Sequence, residues 1–270
     1  MKSAAGADHI AKKRFGQNFL HDPGIIRRIV DLIRPIPGEY LIEIGPGQGA
    51  LTAPLIAAAG RITAIELDQD LLPRLRAQFA PEALDLIAQD VLTVDFSALA
   101  QAAGQPLRIV GNLPYNISTP LLFYLMPLAD QVRDQTFMLQ REVVDRMVAA
   151  PGSKVYGRLS VMLQARYTME RLLRVPAGAF VPAPKVESAI VVMRPLQAAA
   201  RTVVDDRVFS QLVTQAFSAR RKMLRNTLAP YGERLDLQAV GLLPTQRPEE
   251  VSVAQYQALA AQISSVTPFN

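Results

Sequence analysis

Three glycines in LIEIGPGQGALT, namely Gly45, Gly47 and Gly49, sit where an apolar run gives way to a helical pattern. Glycines at a strand-to-helix turn let the backbone approach a nucleotide-like ligand and aim helix N-terminal N–H groups at it. Glu66 ends the next apolar run, 21 positions after Gly45, where a carboxylate accepts hydrogen bonds from both ribose hydroxyls. With Ala50 in its last place the string also satisfies the loose dinucleotide fingerprint. The glycine loop therefore does not by itself separate an NAD enzyme from a methyltransferase.

The segment VGNLPYNIST makes that separation, with Asn112, Leu113, Pro114 and Tyr115 following a fourth apolar run. The amine of adenine is a poor nucleophile because its lone pair is delocalised into the ring. A catalyst must draw that pair out of conjugation and aim it at a sulfonium methyl. The side-chain oxygen of Asn112 and a neighbouring backbone carbonyl accept the two amine hydrogens, Pro114 stiffens the loop that offers them, and Tyr115 stacks on the base. A dehydrogenase has no use for this tetrapeptide. Asp90, after the third run in AQDVLTVDF, completes a series of polar residues at successive strand ends, where it accepts from the cofactor's adenine amine. An Asp after a strand is more commonly a helix cap. The cofactor implied is S-adenosylmethionine.

The elements needed to place these residues are those of a parallel sheet covered by helices. The pattern predicts strands over 40–44, 61–66, 84–88, 107–111 and 135–139, and helices over 51–59 and 68–79, the second capped by Asp68 and carrying Pro73 in its second turn. A further helix over 142–149, the loop PGSKVYG and another helical stretch to Tyr167 follow. Runs at 171–175 and 188–193 flank the Pro-rich 180–184 and suggest a closing antiparallel pair. Beyond Pro195 the pattern is helical only. The expectation is an α/β domain with helices on both faces of the sheet over 1–195, and a small all-helical domain over 196–270.

Composition narrows the chemistry. The 270 residues hold 50% apolar and 20% charged side chains, as in a globular chain with a real core. The absence of cysteine excludes disulfides, thiolate metal sites and methyl transfer through a cysteine adduct. His9 and His21 lack neighbours at metal-ligand spacing, so no metal is implied. No signal peptide and no long apolar run is read, which points to the cytoplasm and away from a membrane. The net charge of +5 is compatible with a polyanionic partner.

Taken together, KRFGQNFL, EIGPGQGALT, AIELD, GNLPYNIST, LQREVVDRM, PGSKVYGRLSVM, FVPAPKVESAIV and FSARRKMLRNTL make the chain resemble the small-subunit ribosomal RNA adenine dimethyltransferases, from about Lys13 to near its end. The resemblance implies a class I, Rossmann-like methyltransferase domain over 1–195, whose first 20 residues serve cofactor and RNA, an RNA-binding helical domain over 196–270, and dimethylation of the N6 amines of two adjacent adenines near the 3′ end of 16S rRNA, within an immature small subunit, by a monomeric enzyme. It places cofactor contacts on Asn18, Leu20, Gly45, Gly47, Glu66, Asp90 and Asn112. Nothing in the chemistry of QNFL singles out Asn18 and Leu20. It also places Phe180 against the second face of the target base; a core Phe beside a Pro-rich turn is the plain alternative.

Arg220, Arg221, Lys222 and Arg225 fall together on a predicted helix, and Lys12, Lys13 and Arg14 form a smaller basic cluster. Such runs are usually solvated faces; in an RNA enzyme they become phosphate contacts. Two alternatives stand beside this reading. A macrolide-resistance dimethyltransferase acting on large-subunit rRNA shares the glycine loop and the Pro-Tyr motif, but Leu113, the run Arg14, Phe15 and Gly16, and the basic SARRKMLRN resemble the small-subunit enzyme. A purely structural assembly factor would not need Glu66, Asn112 and Tyr115 intact.

Overall fold

The computed structural model describes residues 17–266; the basic cluster at Lys12, Lys13 and Arg14 lies outside them, as do Phe15, Gly16 and His9. By the density of internal packing the chain divides into two compact units. Among the described residues one comprises 17–144 and 170–194, the other 145–169 and 195–266.

The first unit is built on a seven-stranded sheet. Its strands are β2 (Leu41–Ile44), β3 (Ile62–Glu66), β4 (Leu84–Ala88), β5 (Leu107–Asn112), β6 (Val132–Gln140), β7 (Tyr167–Val175) and β9 (Ser188–Pro195), ordered β4-β3-β2-β5-β6-β9-β7. The pairs β4/β3, β3/β2, β2/β5 and β5/β6 are parallel, and β9 runs antiparallel to β6. Buried on both faces, β2 and β3 are apolar almost throughout, as the interior of a covered parallel sheet requires. A second, two-stranded ladder joins β1 (Phe19–Leu20) to β8 (Phe180–Val181).

Helices α1 (Pro23–Ile33), α2 (Thr52–Ala59), α3 (Leu72–Gln78), α4 (Phe96–Ala103) and α5 (Ser118–Leu125) belong to this unit. Of these, α1, α4 and α5 are additions to the elements predicted above. The signals for α1 and α4 are local. Asp22 caps α1 by accepting from the amides of Gly24 and Ile25 at 2.8 and 2.9 Å, with Pro23 at its first position. Asp95 caps α4 in the same way through Ala98. In α1, Ile25, Ile29 and Ile33 recur every four residues and are buried in the core with Leu55, Leu75 and Val110.

The helix predicted from Asp68 begins four residues later, at Leu72, so Pro73 lies in the first turn, where its missing N–H costs nothing. Asp68 instead closes a turn, accepting from Asp70 through Oδ1 and from Leu71 through its carbonyl. At the far end of the sheet, Arg108 opens β5 as a buried cation. Its guanidinium meets Glu39 at 2.7 Å and Asp134 at 3.0 Å, so the charge is fully partnered where it leaves water.

The second unit contains α7 (Arg158–Gln164), α8 (Asp206–Ala216), α9 (Leu224–Thr227) and α10 (Val253–Val266). The short α6 (Arg141–Met147) runs from the first unit into the second. A single cut at Pro195 does not capture this unit, because residues 145–169 pack into the same core. Tyr156 is wholly buried there, its hydroxyl donating to the carbonyl of Val251 at 3.0 Å. Its ring joins Phe217, which in turn meets Tyr256, at 6.5 and 6.0 Å between centroids. Among the described residues no helix is long and apolar enough to cross a membrane.

Candidate active site

Chain order reverses at the centre of the sheet: β3 lies on one side of β2 and β5 on the other. At such a switch point the loops leaving the two central strands run in opposite directions and open a crevice at their carboxyl ends. A cavity of about 300 Å³ lies there, lined from Gln17 through the glycine loop to Asn112 and Tyr115. That volume is within the range of small-molecule sites.

The glycine loop forms one wall. Gly47 has φ +58° and Gly49 φ +85°, which L side chains rarely adopt. A Cβ on Gly49 would lie 3.0 Å from the Phe79 ring, and one on Gly47 3.1 Å from Phe19. The loop thus packs tightly behind and offers bare backbone in front.

Glu66 closes β3 beside it. The Glu66 carboxylate accepts from the amide of Asp68 at 2.8 Å and of Gly47 at 3.3 Å, and only 7% of the residue is exposed. Burial raises its pKa above the ordinary carboxylate value, against the lowering effect of the two amides. Two carboxylate oxygens at a strand end match the hydroxyls of a ribose diol, so the residues present fit S-adenosylmethionine.

Asn112 and Tyr115 line the same cavity, and a Cβ on Gly45 would lie 3.8 Å from the Asn112 carbonyl oxygen. Asn112 ends β5, and its Nδ2 donates to the main-chain carbonyl of Asn18 at 3.1 Å, which leaves Oδ1 as the acceptor end of the amide. Leu113 is buried, with its N–H donating to the carbonyl of Met138 of β6 at 3.1 Å. This bond pins the loop's first residue to the sheet. The Pro114 carbonyl accepts from Ile117 and the Tyr115 carbonyl from the Ser118 hydroxyl, so the loop is tied to its own following helix. The Tyr115 hydroxyl meets Ser188 Oγ at 2.7 Å, and burial raises the phenol's pKa.

Most of the predicted residues therefore meet around one cavity: Asn18, Leu20, Gly45, Gly47, Glu66, Asp90, Asn112, Leu113, Pro114 and Tyr115 all line it. Asp90 is also the cap that its position suggests, accepting from Leu92 N at 3.0 Å. Phe180 is not part of the lining. It is 2% exposed and belongs to the buried cluster with Leu20, its partner in the β1/β8 ladder. Strand alternation turns Leu20 and Phe180 to one side and Phe19 and Val181 to the other.

The structure adds residues that sequence reasoning missed. Gln17 Nε2 donates to Asp68 Oδ2 at 2.8 Å and ties the N-terminal segment to the wall that carries Glu66. Glu43, in β2 behind the glycine loop, is 1% exposed, and it accepts from Thr52 Oγ1 at 2.6 Å. Burial raises its carboxyl to about 7. Gly111 allows β5 to approach β2, since a Cβ there would lie 2.5 Å from the carbonyl oxygen of Ile44. A glycine inside a strand is the signal that could have marked it. Ser188 carried no signal, because its partner is 73 residues away.

In the second unit Arg220, Arg221, Lys222 and Arg225 are all exposed. They do not share one helix: the first three occupy the turn after α8, and Arg225 lies on α9. The helix is interrupted there because Leu224 and Arg225 give their N–H groups to Gln246 and Pro244. The Arg220 guanidinium donates to the carbonyl of Lys154.

A switch-point cavity in this strand order, with β9 reversed against β6, defines the Rossmann-like methyltransferase class. The family model for ribosomal RNA adenine dimethylase matches residues 8–264, and the chain belongs to that family. The ribosomal RNA small subunit methyltransferase A of Aromatoleum aromaticum is 53% identical over 262 residues, 97% of each chain. That of Leptothrix cholodnii is 56% identical over 262 residues, 97% of this chain and 95% of the relative. Two solved structures share the fold. A dimethyladenosine transferase from Plasmodium falciparum has a TM-score of 0.75 at 22% identity, over 92% of this chain and 98% of that one. The 23S rRNA methyltransferase ErmE has 0.70 at 24%, over 92% and 100%.

Proposed function

We propose that this methyltransferase moves methyl groups from S-adenosylmethionine to the N6 amines of two adjacent adenines near the 3′ end of 16S rRNA, in an immature small ribosomal subunit. The observation that carries this reading is that Asn112 and Tyr115 line the same cavity as the glycine loop and Glu66. Relatives named for the small subunit, more than half identical over nearly the whole chain, support that substrate over the large subunit.

When bound, the cofactor supplies a methyl group on a sulfonium. Glu66 would hold its ribose, the backbone of the glycine loop would lie against its methionine end, and Asp90 would hold its adenine. The target base is extruded from the RNA and stacks on Tyr115, which Ser188 holds in place. Asn112 Oδ1 accepts one amine hydrogen, and the lone pair is turned toward the methyl. The methyl would pass to that lone pair, and the amine proton, acidified by methylation, would leave to water. Catalysis is positioning and oriented polarity rather than strong base chemistry. Phe180 enters as the buried support of β1, beneath Asn18 and Leu20. The exposed turn at Arg220–Lys222, with Arg225, contacts RNA phosphates.

Labelled S-adenosylmethionine incubated with small subunits from a strain lacking the modification tests this reading. Reverse transcription locates the marks, because dimethylation spoils the pairing edge of adenine. We expect stops at two adjacent adenines near the 3′ end; label confined to large subunits overturns the substrate.

A further inference from the structure

Glu43 is a buried carboxyl that the chemistry proposed above leaves unused. It lies in β2, two residues before Gly45, and its Oε2 accepts from the hydroxyl of Thr52, the first residue of α2, at 2.6 Å. One hydrogen bond thus joins the two ends of the glycine loop. Glu43, Glu66 and Asp90 all line the cavity, and among the described residues no Lys, Arg or His does. We infer that Glu43 is a specificity-determining residue that senses the charge on the cofactor's sulfur. It holds a proton in the free protein, releases it to solvent when a sulfonium is seated, and takes one up again when methyl transfer has left a neutral thioether. This inference rests on the reading of the cavity proposed above.

The bond to Thr52 does not account for a carboxyl at this place, since a neutral acceptor would make it equally well. Arg108 is also buried, but it meets two carboxylates. Glu43 is 1% exposed, and what it meets is a hydroxyl and the charge of a second carboxylate, Glu66. A buried charge without a counter-ion is costly, so the group keeps its proton instead. Burial lifts the Glu43 carboxyl to about 7, opposed by Thr52 and reinforced by Glu66.

The ladder partners of Glu43, Ala64 in β3 and Val110 in β5, carry no charge, so Glu66 is the ionised group that acts on it. Glu66 is also the residue that would hold the cofactor's ribose. As the charge of Glu66 reaches Glu43, so does that of a cation seated beside Glu66. Such a cation favours the carboxylate and works against the effect of burial. Loss of the methyl removes the positive charge from sulfur, while the ammonium and carboxylate of the methionine end stay as they were. Glu43 therefore separates methyl donor from spent product by charge.

The test is calorimetry of the full chain with S-adenosylmethionine and with its thioether, S-adenosylhomocysteine, in buffers of differing ionisation enthalpy, which counts the protons released on binding. At pH 7 the Glu43 carboxyl is about half protonated in the free protein, so the sulfonium ligand should release up to about half a proton more than the thioether. Its affinity should rise by up to about tenfold from pH 6 to pH 8, and that of the thioether by less. Glu66 and Asp90 would meet the same ribose and adenine in both ligands, so their effects cancel in the comparison. Glu43→Gln keeps an acceptor for Thr52 and should abolish both differences. Equal proton counts for the two ligands in the wild type, or a difference that persists in Glu43→Gln, overturn the inference. A folded protein that binds neither ligand overturns the reading of the cavity instead.

Discussion

The side-chain amide of Asn112 is hydrogen-bonded at 3.1 Å to the main-chain carbonyl of Asn18, 94 positions earlier in the chain. This bond orients the residue to which the proposed chemistry assigns the amine hydrogen. With Nδ2 committed, Oδ1 is the end of the amide that meets an amine hydrogen.

That interaction matters more as the lone pair turns than in the ground state, so its removal should show chiefly in turnover. For Asn112→Ala we expect single-turnover methylation at saturating cofactor and RNA to fall at least about a hundredfold. Subunit binding should be nearly intact, because it draws on a much larger surface. A rate close to wild type would remove Asn112 from the chemistry.

Glu66 is buried at the end of β3, and the proposed function gives its carboxylate the cofactor's ribose as a charge-assisted partner. Glu66→Ala should weaken S-adenosylmethionine binding by calorimetry without unfolding the protein, as followed by circular dichroism. Unchanged affinity would place the ribose elsewhere.

Glu43 makes stability depend on pH in an unusual direction for a carboxyl. Its folded-state pKa of about 7 lies above the ordinary 4.5, because burial disfavours the charged form. The folded protein thus binds the proton more tightly than the unfolded chain. The stability this confers is complete below about pH 4.5 and is lost as pH rises through about 7. Glu43→Gln should be free of this loss. Between pH 5 and pH 8 the difference in unfolding free energy should move in favour of the variant by up to about 3 kcal/mol, at about 1.4 kcal/mol per pKa unit. A difference that does not change with pH would mean that Glu43 ionises normally.

Gly111 sets the spacing of the two strands that hold the site. Gly111→Ala places a methyl against the Ile44 carbonyl, so β5 and β2 must separate. We expect a loss of about 1–3 kcal/mol in denaturant unfolding and a larger proportional loss of methylation, since the glycine loop and Asn112 move apart. A variant with wild-type stability and activity would show that the sheet absorbs the methyl.

The basic turn of the second unit should grip RNA without touching catalysis. Replacing Arg221, Lys222 and Arg225 together by Gln should weaken subunit binding and flatten its salt dependence by roughly 0.7 to 0.9 for every phosphate that the turn neutralises in the wild type. An unchanged slope in a folded variant would make the turn a solvated face.

Local signals carried much of this protein. The glycine loop, Glu66, the NLPY segment and the five central strands are each a short run whose residue types answer to neighbours in the chain, so spacing alone exposes them. The parallel strands over 41–44, 62–66, 84–88 and 107–112 appear within a residue of the prediction, because the three inner ones are buried almost throughout and apolar for most of their length, while 84–88 is a short apolar run at the sheet edge. Tertiary structure decided what depends on partners far along the chain. It joined Asn18 to Asn112 and Ser188 to Tyr115 across 94 and 73 residues, pairings that leave no periodicity behind. It turned Phe180 into the core, since the facing of a two-residue strand is set only by the ladder it joins. It drew residues 145–169 out of the first unit, because Tyr156 buries its ring where Phe217 and Tyr256 supply the other half of a core. A sequence shows which side chains seek burial or a partner; which surface meets them is settled only when the chain has folded.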